Sequence, residues 1–382
     1  MKSLLFSITM TFLSLSISSQ SVTDTKPVKT LKKQEGAILS LAFQPDGKIL
    51  ASGSDDKTCL LWSFPEGKIV SALQGSLSGV HAILYLPDGS YVCTGGDRVI
   101  RVYKLSGVYT KTLSGPGTQI WTLSFNSQLN QIAAGSYDKT FKTIDFTSGK
   151  VVSAFEGHTK NALAVAFSPD GKLMASGSLD QTVKIWDVAS KKLLHTCTGH
   201  GGNIYAVLFT NDSRNVISAS NDNSIRIWDI TTGKTIRNLL DHSKGVSCLA
   251  ISPDGAYLLS GSFDTNIKFW EISSGECIAT FSSHKDAVNT VAFHPDGKSF
   301  ASGSTDKTIM IWDLSSELFV NHYFSKEFEN EIAQSQLFAA KEKTETKPDY
   351  KARQEKAEAF RKELIQKYYQ RYLTEIKGKP KK

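Results

Sequence analysis

A turn-and-strand unit returning at a nearly constant interval constrains this chain more than any other feature. Ser176-Gly177-Ser178-Leu179-Asp180-Gln181-Thr182-Val183-Lys184-Ile185-Trp186-Asp187 shows it in full: small residues, an Asp, and a large residue six positions on. The Asp recurs as Asp56, Asp97, Asp138, Asp180, Asp222, Asp264 and Asp306, at offsets of 41, 41, 42, 42, 42 and 42 residues. The sixth position after it holds Trp62, Tyr103, Ile144, Trp186, Trp228, Trp270 and Trp312. Seven units in one register imply a stacked or closed array of one supersecondary element, each copy burying its apolar face against the next.

Period-2 alternation between turn signals divides each unit into four short strands. In the fourth unit these are predicted as an inner strand over Ala162 to Phe167, then Leu173 to Ser176, Thr182 to Asp187, and an outer strand over Leu193 to Thr198. Pro-Asp-Gly marks the first turn at 45–47, 87–89, 169–171, 253–255 and 295–297, because Pro presets one turn position and Gly permits positive φ at another. Units three and five carry Asn126-Ser127-Gln128 and Asn211-Asp212-Ser213 instead, and looser turns are expected there.

These residues, with Trp-Asp at 186–187, 228–229 and 312–313, resemble the WD40-repeat family of β-propellers over roughly residues 26 to 314. The resemblance implies an all-β fold: a seven-bladed β-propeller of four-stranded antiparallel blades. It says little about function, which on such a fold has to be argued from a site. An open ring would expose two sheet edges. Lys26-Pro27-Val28-Lys29-Thr30-Leu31 matches the outer strands Lys68 to Leu73 and Lys150 to Phe155, whereas the seventh unit has none after Asp313, so residues 26–33 are expected to supply the last blade's fourth strand.

The ends differ in character. Met1 to Gln20 has one Lys, an uncharged apolar run and small residues at Ser18 and Ser19, the layout of a secretory signal peptide; its run is shorter than the ~20 residues of a membrane span. The expected organisation is a signal peptide over 1–19, a linker over 20–25, the propeller over 26–323, a helix and hinge over 324–348, and a basic amphipathic helix and tail over 349–382. The protein is accordingly expected to be exported, periplasmic or secreted. Residues 325–382 hold 15 Lys and Arg against 10 Asp and Glu, a net of +5 in a chain of net +7. Phe360, Leu364, Tyr368, Tyr372 and Ile376 recur at steps of four, an apolar stripe that must be covered by the propeller's rim, the first helix, a partner or a membrane surface. The five cysteines, Cys59, Cys93, Cys197, Cys248 and Cys277, fall on different strands and read as buried small hydrophobes rather than a disulfide framework.

His158, Ser176, Asp180 and Trp186 invite a hydrolase reading, since Ser, His and Asp make a nucleophilic triad. The set recurs as His200, Ser218, Asp222, Trp228; His242, Ser260, Asp264, Trp270; and His284, Ser302, Asp306, Trp312. Four active sites around one ring are implausible, and the resemblance implies a structural hydrogen-bond relay. Units one to three depart, with Gln34, Ser76 and Pro116 at the His position and Tyr103 and Ile144 in place of Trp, so their blades are expected to be the less stable sector. The dispersed histidines and cysteines give no zinc-like spacing, and no Gly-rich phosphate loop opens a helix; no metal, cofactor or catalytic residue is expected.

Comparing units separates scaffold from site. One inner-strand column, Ile38, Val80, Ile120, Ala162, Ile204, Val246 and Val288, is uniformly apolar and reads as packed. The next, Leu39, His81, Trp121, Leu163, Tyr205, Ser247 and Asn289, is chemically mixed. The resemblance places this column, and residues before each turn Asp such as Tyr137, Leu179 and Phe263, around the channel mouth on the top face. The candidate partner-binding set is therefore Trp121, Tyr137, Leu163, Leu179, Tyr205, Phe263, His81 and Asn289. The resulting expectation is a monomeric, exported, non-enzymatic scaffold for protein partners, with no nucleic acid and no membrane span once the signal is removed. A propeller hydrolase or lyase and a glycan-binding module are the alternatives.

Overall fold

The computed structural model describes residues 26–115, 117–342 and 344–378. The expected signal peptide and linker, and residues 379–382 of the tail, lie outside them. Within the described residues, seven four-stranded antiparallel sheets each run in sequence order from an inner to an outer strand, except the last. Blade one comprises Ile38–Phe43, Ile49–Ser54, Cys59–Ser63 and Ile69–Leu73; blade four comprises Ala164–Phe167, Leu173–Gly177, Val183–Asp187 and Leu193–Cys197. Blade seven takes Val288–Phe293, Ser299–Ser304 and Ile309–Asp313 from the end of the ring and Lys29–Leu31 from its beginning, pairing Lys29 with Ile311 and Leu31 with Ile309.

The second and third strands of each blade are buried on both faces by neighbouring blades, which explains their near-continuous small and apolar residues. The uniformly apolar inner column is what joins one blade to the next. A Cβ at Gly177 would lie 2.6 Å from Ile204 Cγ2, and one at Gly303 would lie 2.4 Å from Ile38 Cγ2, so glycine in the second strand makes room for the next blade's column residue. The Gly303–Ile38 contact is the same joint closing the ring. Leu41 N donating to Thr290 Oγ1 (3.1 Å) and Asn289 Nδ2 donating to the Ile38 carbonyl (3.0 Å) fasten that seam.

The turns of units three and five are not looser. Asn126, almost fully buried, accepts from the N–H groups of Gln128 and Leu129 and donates to the Gly171 carbonyl of blade four. In unit five Thr210 Oγ1 donates to Asp212, and Asn211 Nδ2 to the Pro253 carbonyl. Side-chain amides and hydroxyls do there what Pro and Gly do elsewhere.

The strands end at Asp313 and helix α1 (Ser316–Gln334) follows at once, so the propeller stops about ten residues before the expected 323. Leu318, Phe319 and Val320 are buried near the start of α1, with extended Ser315 at its N-cap. Helix α2 (Lys347–Arg371) begins inside the expected hinge, where Thr346 caps it by accepting from Asp349 N and Pro348 sits in the first turn. A π-helical turn over Tyr372–Lys377 continues it.

The apolar stripe of α2 is covered chiefly by α1, and its end at Tyr372 reaches the propeller. Phe319, Phe324, Phe328, Leu364, Ile365, Tyr368 and Tyr372 join one cluster with Tyr257 and Phe269 of blade six and Trp312 of blade seven. Tyr257 and Tyr372 share a hydrogen bond through their hydroxyls, Tyr323 Oη donates to Glu271 (2.7 Å), and Lys377 pairs with Asp254 (3.0 Å). Asp254 lies in the Pro-Asp-Gly turn, so the helices dock at that end of blade six. They also reach its outer edge: Ile278 is 2% exposed, whereas the equivalent Val152 of blade three is 44% exposed. None of the described helices is long and apolar enough to cross a membrane.

Deleting residues 26–33 removes the edge strand of blade seven together with buried Leu31. The variant is expected to lose cooperative thermal unfolding and to aggregate; a soluble, cooperatively melting deletion would contradict closure by this strand.

Candidate functional site

Four copies of one polar chain tie the loop entering a blade to that blade's second turn. In blade four, Trp186 Nε1 donates to Ser176 Oγ (2.9 Å), Ser176 Oγ meets His158 Nε2 (2.8 Å), and His158 Nδ1 meets Asp180 Oδ2 (2.9 Å). The chains His200–Ser218–Asp222–Trp228, His242–Ser260–Asp264–Trp270 and His284–Ser302–Asp306–Trp312 repeat it within 0.2 Å. Each Asp divides its oxygens. In Asp180, Oδ2 also accepts from Thr159 N in the entering loop, while Oδ1 accepts from Thr182 N and Oγ1 across the turn. The turn puts the residue after the Asp at positive φ, as with Gln181 (70°) and Thr265 (73°).

Burial raises the tendency of these carboxyls to hold a proton, but the hydrogen bonds from His, hydroxyl and backbone outweigh it. Asp222 is lowered to about 2, and Asp180, Asp264 and Asp306 are held well below the ordinary carboxylate range. Burial lowers His200, against the opposing pull of Asp222.

Blades one to three depart from this pattern unequally. In blade one Gln34 takes the histidine's place: its Oε1 accepts from Ser52 Oγ (2.7 Å), its Nε2 donates to Thr58 Oγ1 (2.9 Å), and Thr58 donates to Asp56. With Trp62 Nε1 donating to Ser52 Oγ (2.8 Å), the chain is complete and one residue longer, so blade one does not belong in the weaker sector. In blade two the Arg101 guanidinium pairs with Asp97 (2.7 Å) and Tyr103 Oη donates to the Gln74 carbonyl (2.7 Å), joining loop to turn by other atoms. In blade three the turn is kept, with Asp138 accepting from Thr140, but Ala134 stands opposite Lys142 where five blades have serine and blade two has Thr94, and Ile144 replaces the indole. The nearby buried Ser136 hydroxyl has no partner among the described residues.

The end of the ring bearing these turns is the top face. There the mixed column resolves into two aromatic groups. The His81 and Trp121 rings lie 4.4 Å apart at 31°, and Trp121 and Tyr137 lie 6.0 Å apart at 31°. Tyr205 and Phe263 meet edge to face at 5.6 Å. Tyr137 is 51% exposed, while Trp121, Tyr205, Phe263, His81 and Leu179 are half-buried. His81 also meets Gln119 Nε2 (2.9 Å), a neighbour its own column could not reveal.

One candidate is buried and another is tied to the neighbouring blade. Leu163 is only 5% exposed. Asn289 Nδ2 donates to the Ile38 carbonyl and to Thr305 Oγ1 (3.0 Å), the bond to the next blade that Ser247 of the same column also makes, to the Val288 carbonyl. Among the described residues no group of three or more His, Cys, Asp or Glu side chains could hold a metal ion, and all five cysteines are free thiols.

The profile of the "WD domain, G-beta repeat" matches residues 25–63, 67–104, 107–145, 149–187, 191–229, 233–271 and 275–313. Each segment runs from an outer strand through three strands of the following blade, which is the framing that closure by Lys29–Leu31 requires. Nuclear distribution protein PAC1 of Coccidioides posadasii (strain C735) is 29% identical over 178 residues, 38% of this chain and 38% of that protein. WD repeat-containing protein SL1-17 of Schistosoma mansoni is 29% identical over 153 residues, 38% of this chain and 50% of that protein. Transcription initiation factor TFIID subunit 5 of Caenorhabditis elegans is 27% identical over 139 residues, 36% of this chain and 21% of that protein. The chain thus spans half or less of the length of these relatives.

Replacing His242 by Ala leaves Asp264 poorly paired beside buried Ser260, and is expected to cost about 3–5 kcal/mol in chemical denaturation. Acid sensitivity should follow from the depressed carboxyls. A folded value below the ordinary 3.8 means that stabilisation is complete above about pH 4 and is lost as pH falls through the folded value, near 2 for Asp222. The melting temperature should therefore drop steeply between about pH 4 and 2, and Asp222→Asn should make that slope shallower while lowering stability at neutral pH.

Proposed function

Because the chain belongs to the family of the WD domain, G-beta repeat, we propose that it is an exported, non-enzymatic scaffold, a monomeric rigid propeller that holds a protein partner against its top face. One observation carries this reading: the row of His81, Trp121 and half-exposed Tyr137 rings, packed together on that face. Preorganised aromatic rings at an interface centre commonly contribute about 2 kcal/mol or more each on truncation. The opposite end of blade six is covered by the chain's own helices, which favours the top face as the available surface.

The Ser-His-Asp sets support a scaffold over a hydrolase, since each serine oxygen is fully buried and occupied by an indole N–H. Export is supported by the charge and hydrophobicity pattern of Met1 to Gln20. The relatives bear names as different as nuclear distribution protein and transcription initiation factor subunit; the likeness therefore supports a platform and points to no particular partner.

The test is affinity capture from the native extracytoplasmic fraction with wild type and with Trp121→Ala combined with Tyr205→Ala. Recovery of the partner is expected to fall at least about tenfold in the double variant, as loss of two anchors demands. Unchanged recovery would remove the top-face reading, and glycan-array binding lost in the same variant would replace it with sugar recognition.

A further inference from the structure

At the seam where the ring closes, the loops of blade seven and the end of its borrowed strand enclose a cavity of about 380 Å³. Blade six fills the same place with an internal ion pair. There Lys268, 7% exposed, pairs with Asp241 and donates to Thr280 Oγ1 (3.2 Å). In blade seven Met310 stands opposite Thr30 as Lys268 stands opposite Thr280, and Ser283 precedes His284 as Asp241 precedes His242. Neither charge of the pair is present, and Thr30, Ser283 and Met310 line an open space.

Three lysines complete the lining. Lys32 follows the closing strand, Lys285 lies in the loop entering blade seven, and Lys307 lies in the turn between its second and third strands. All three are exposed, and none makes an ion pair among the described residues. The carboxylate and the amide of the lining belong to the relays: Asp306 accepts from His284, from the N–H groups of Lys285 and Thr308 and from the Thr308 hydroxyl, and Gln34 is engaged with Ser52 and Thr58. Glu35 and Asp286, next to Gln34 and Lys285 in sequence, stand outside the lining and pair with none of the three lysines. Three Lys against one Asp leave the lining with a formal charge of +2. The Thr30 and Ser283 hydroxyls, able to donate or to accept, have no side-chain hydrogen bond among the described residues.

We infer that this cavity is a site for a phosphate monoester, whose phosphoryl group sits among Lys32, Lys285 and Lys307 and ties the closing strand to the loops of blade seven. The charge count selects the class. A phosphoryl ester carries about −1.5 to −2 at pH 7, which matches the lining, whereas a carboxylate or a sulfate ester brings one charge and leaves the lysines in mutual repulsion. Ammonium groups are compact charges with three rotatable donors, suited to the several oxygens of a tetrahedral group, while a planar carboxylate favours the fork of an arginine. Met310, 8% exposed, gives the ester's carbon skeleton an apolar wall. The occupant touches both the beginning and the end of the ring, and a ligand held only by the closed form stabilises it by RT ln(1 + [L]/Kd). The site involves none of the His81, Trp121 and Tyr137 rings and does not depend on the scaffold reading.

The probes are methyl phosphate and methyl sulfate, alike in shape and different by one charge, added to the full chain at about pH 7.5, above the second phosphate ionisation, and at constant low ionic strength. Calorimetric binding and the melting temperature are the readouts. Methyl phosphate is expected to raise the melting temperature saturably and to bind at least about tenfold more tightly than methyl sulfate. Lys285→Gln combined with Lys307→Gln, both at exposed positions, should weaken methyl phosphate at least about tenfold. Without ligand, at low salt, that variant should melt no lower than wild type, because it relieves an unscreened repulsion. Lys172→Gln combined with Lys192→Gln, exposed at the other end of the ring, should leave methyl phosphate binding unchanged. Equal binding of the two esters, or methyl phosphate binding that survives in the Lys285 and Lys307 double variant, overturns the inference. Inorganic phosphate is the further arm: tighter binding of the ester upholds a monoester site, and tighter binding of the free ion overturns it in favour of a phosphate-ion site.

Discussion

A donor-only indole at one end and an acceptor-only carboxylate at the other fix the direction of the hydrogen bonds in the relay. Trp186 Nε1 can only donate and Asp180 can only accept, so Ser176 Oγ accepts from the indole and, to a ring with one proton, donates at His158 Nε2. Nδ1 then carries the imidazole proton and donates to Asp180. The result is one tautomer and one polarity, repeated in four blades, with no donor or acceptor left over along the chain. A buried network satisfied throughout holds a single geometry, whereas one with a member removed is worse than an apolar core. Ser, His and Asp here stand in the order of a nucleophilic triad, yet a nucleophile needs an approachable oxygen. The same indole that completes the network buries the serine, and what reads as catalytic chemistry serves as a brace.

The brace is graded around the ring. Gln34 can replace an imidazole because an amide also offers one acceptor and a donor on opposite sides, and Thr58 makes up the missing reach to Asp56. Arg101 and Tyr103 replace it with an ion pair and a separate bond to the loop. Blade three has neither serine nor indole at the equivalent places. In a repeat array each unit draws stability from its neighbours, so a braced ring tolerates two blades whose loops answer to another demand. The His81–Trp121–Tyr137 row lies on those same two blades. Where the brace is relaxed, the surface chemistry is most individual.

The repeat was legible because it is enforced by geometry: a glycine, or Ala219 in blade five, facing the incoming column residue, a carboxylate at each tight turn, and an edge that must be paired. Such demands recur with the blade, and recurrence is visible in a single chain. The substitutes were not legible. Gln34 breaks the pattern by identity while keeping its function, and Asn126 does the work of Pro-Asp-Gly with different atoms. Column position alone does not show which polar members tie one blade to the next, as Asn289 and Ser247 do by donating to the Ile38 and Val288 carbonyls. Leu163 was indistinguishable from Leu39 by residue type; its burial depends on neighbours far away in sequence.

Outer strands carry a pair of apolar residues that the ring itself cannot cover, such as Val151 and Val152 or Leu193 and Leu194, all of them exposed. Blade six has Cys277 and Ile278 at the equivalent place, and there α1 and α2 lie against the sheet. Burying the extension's own stripe and this edge in one cluster solves two exposure problems at once, which is why the helices dock here and not on a polar turn. Five of the extension's cations are paired as well: Arg353 with Glu345, Arg361 with Glu317, Lys367 with Glu331, Arg371 with Glu327, and Lys377 with Asp254. Of these pairs, only those with Glu317 and Asp254 draw on the net charge of +5 over residues 325–382, since the other three are already cancelled within it. Through its shared aromatic cluster with blades six and seven, the extension reads as part of the scaffold's structure.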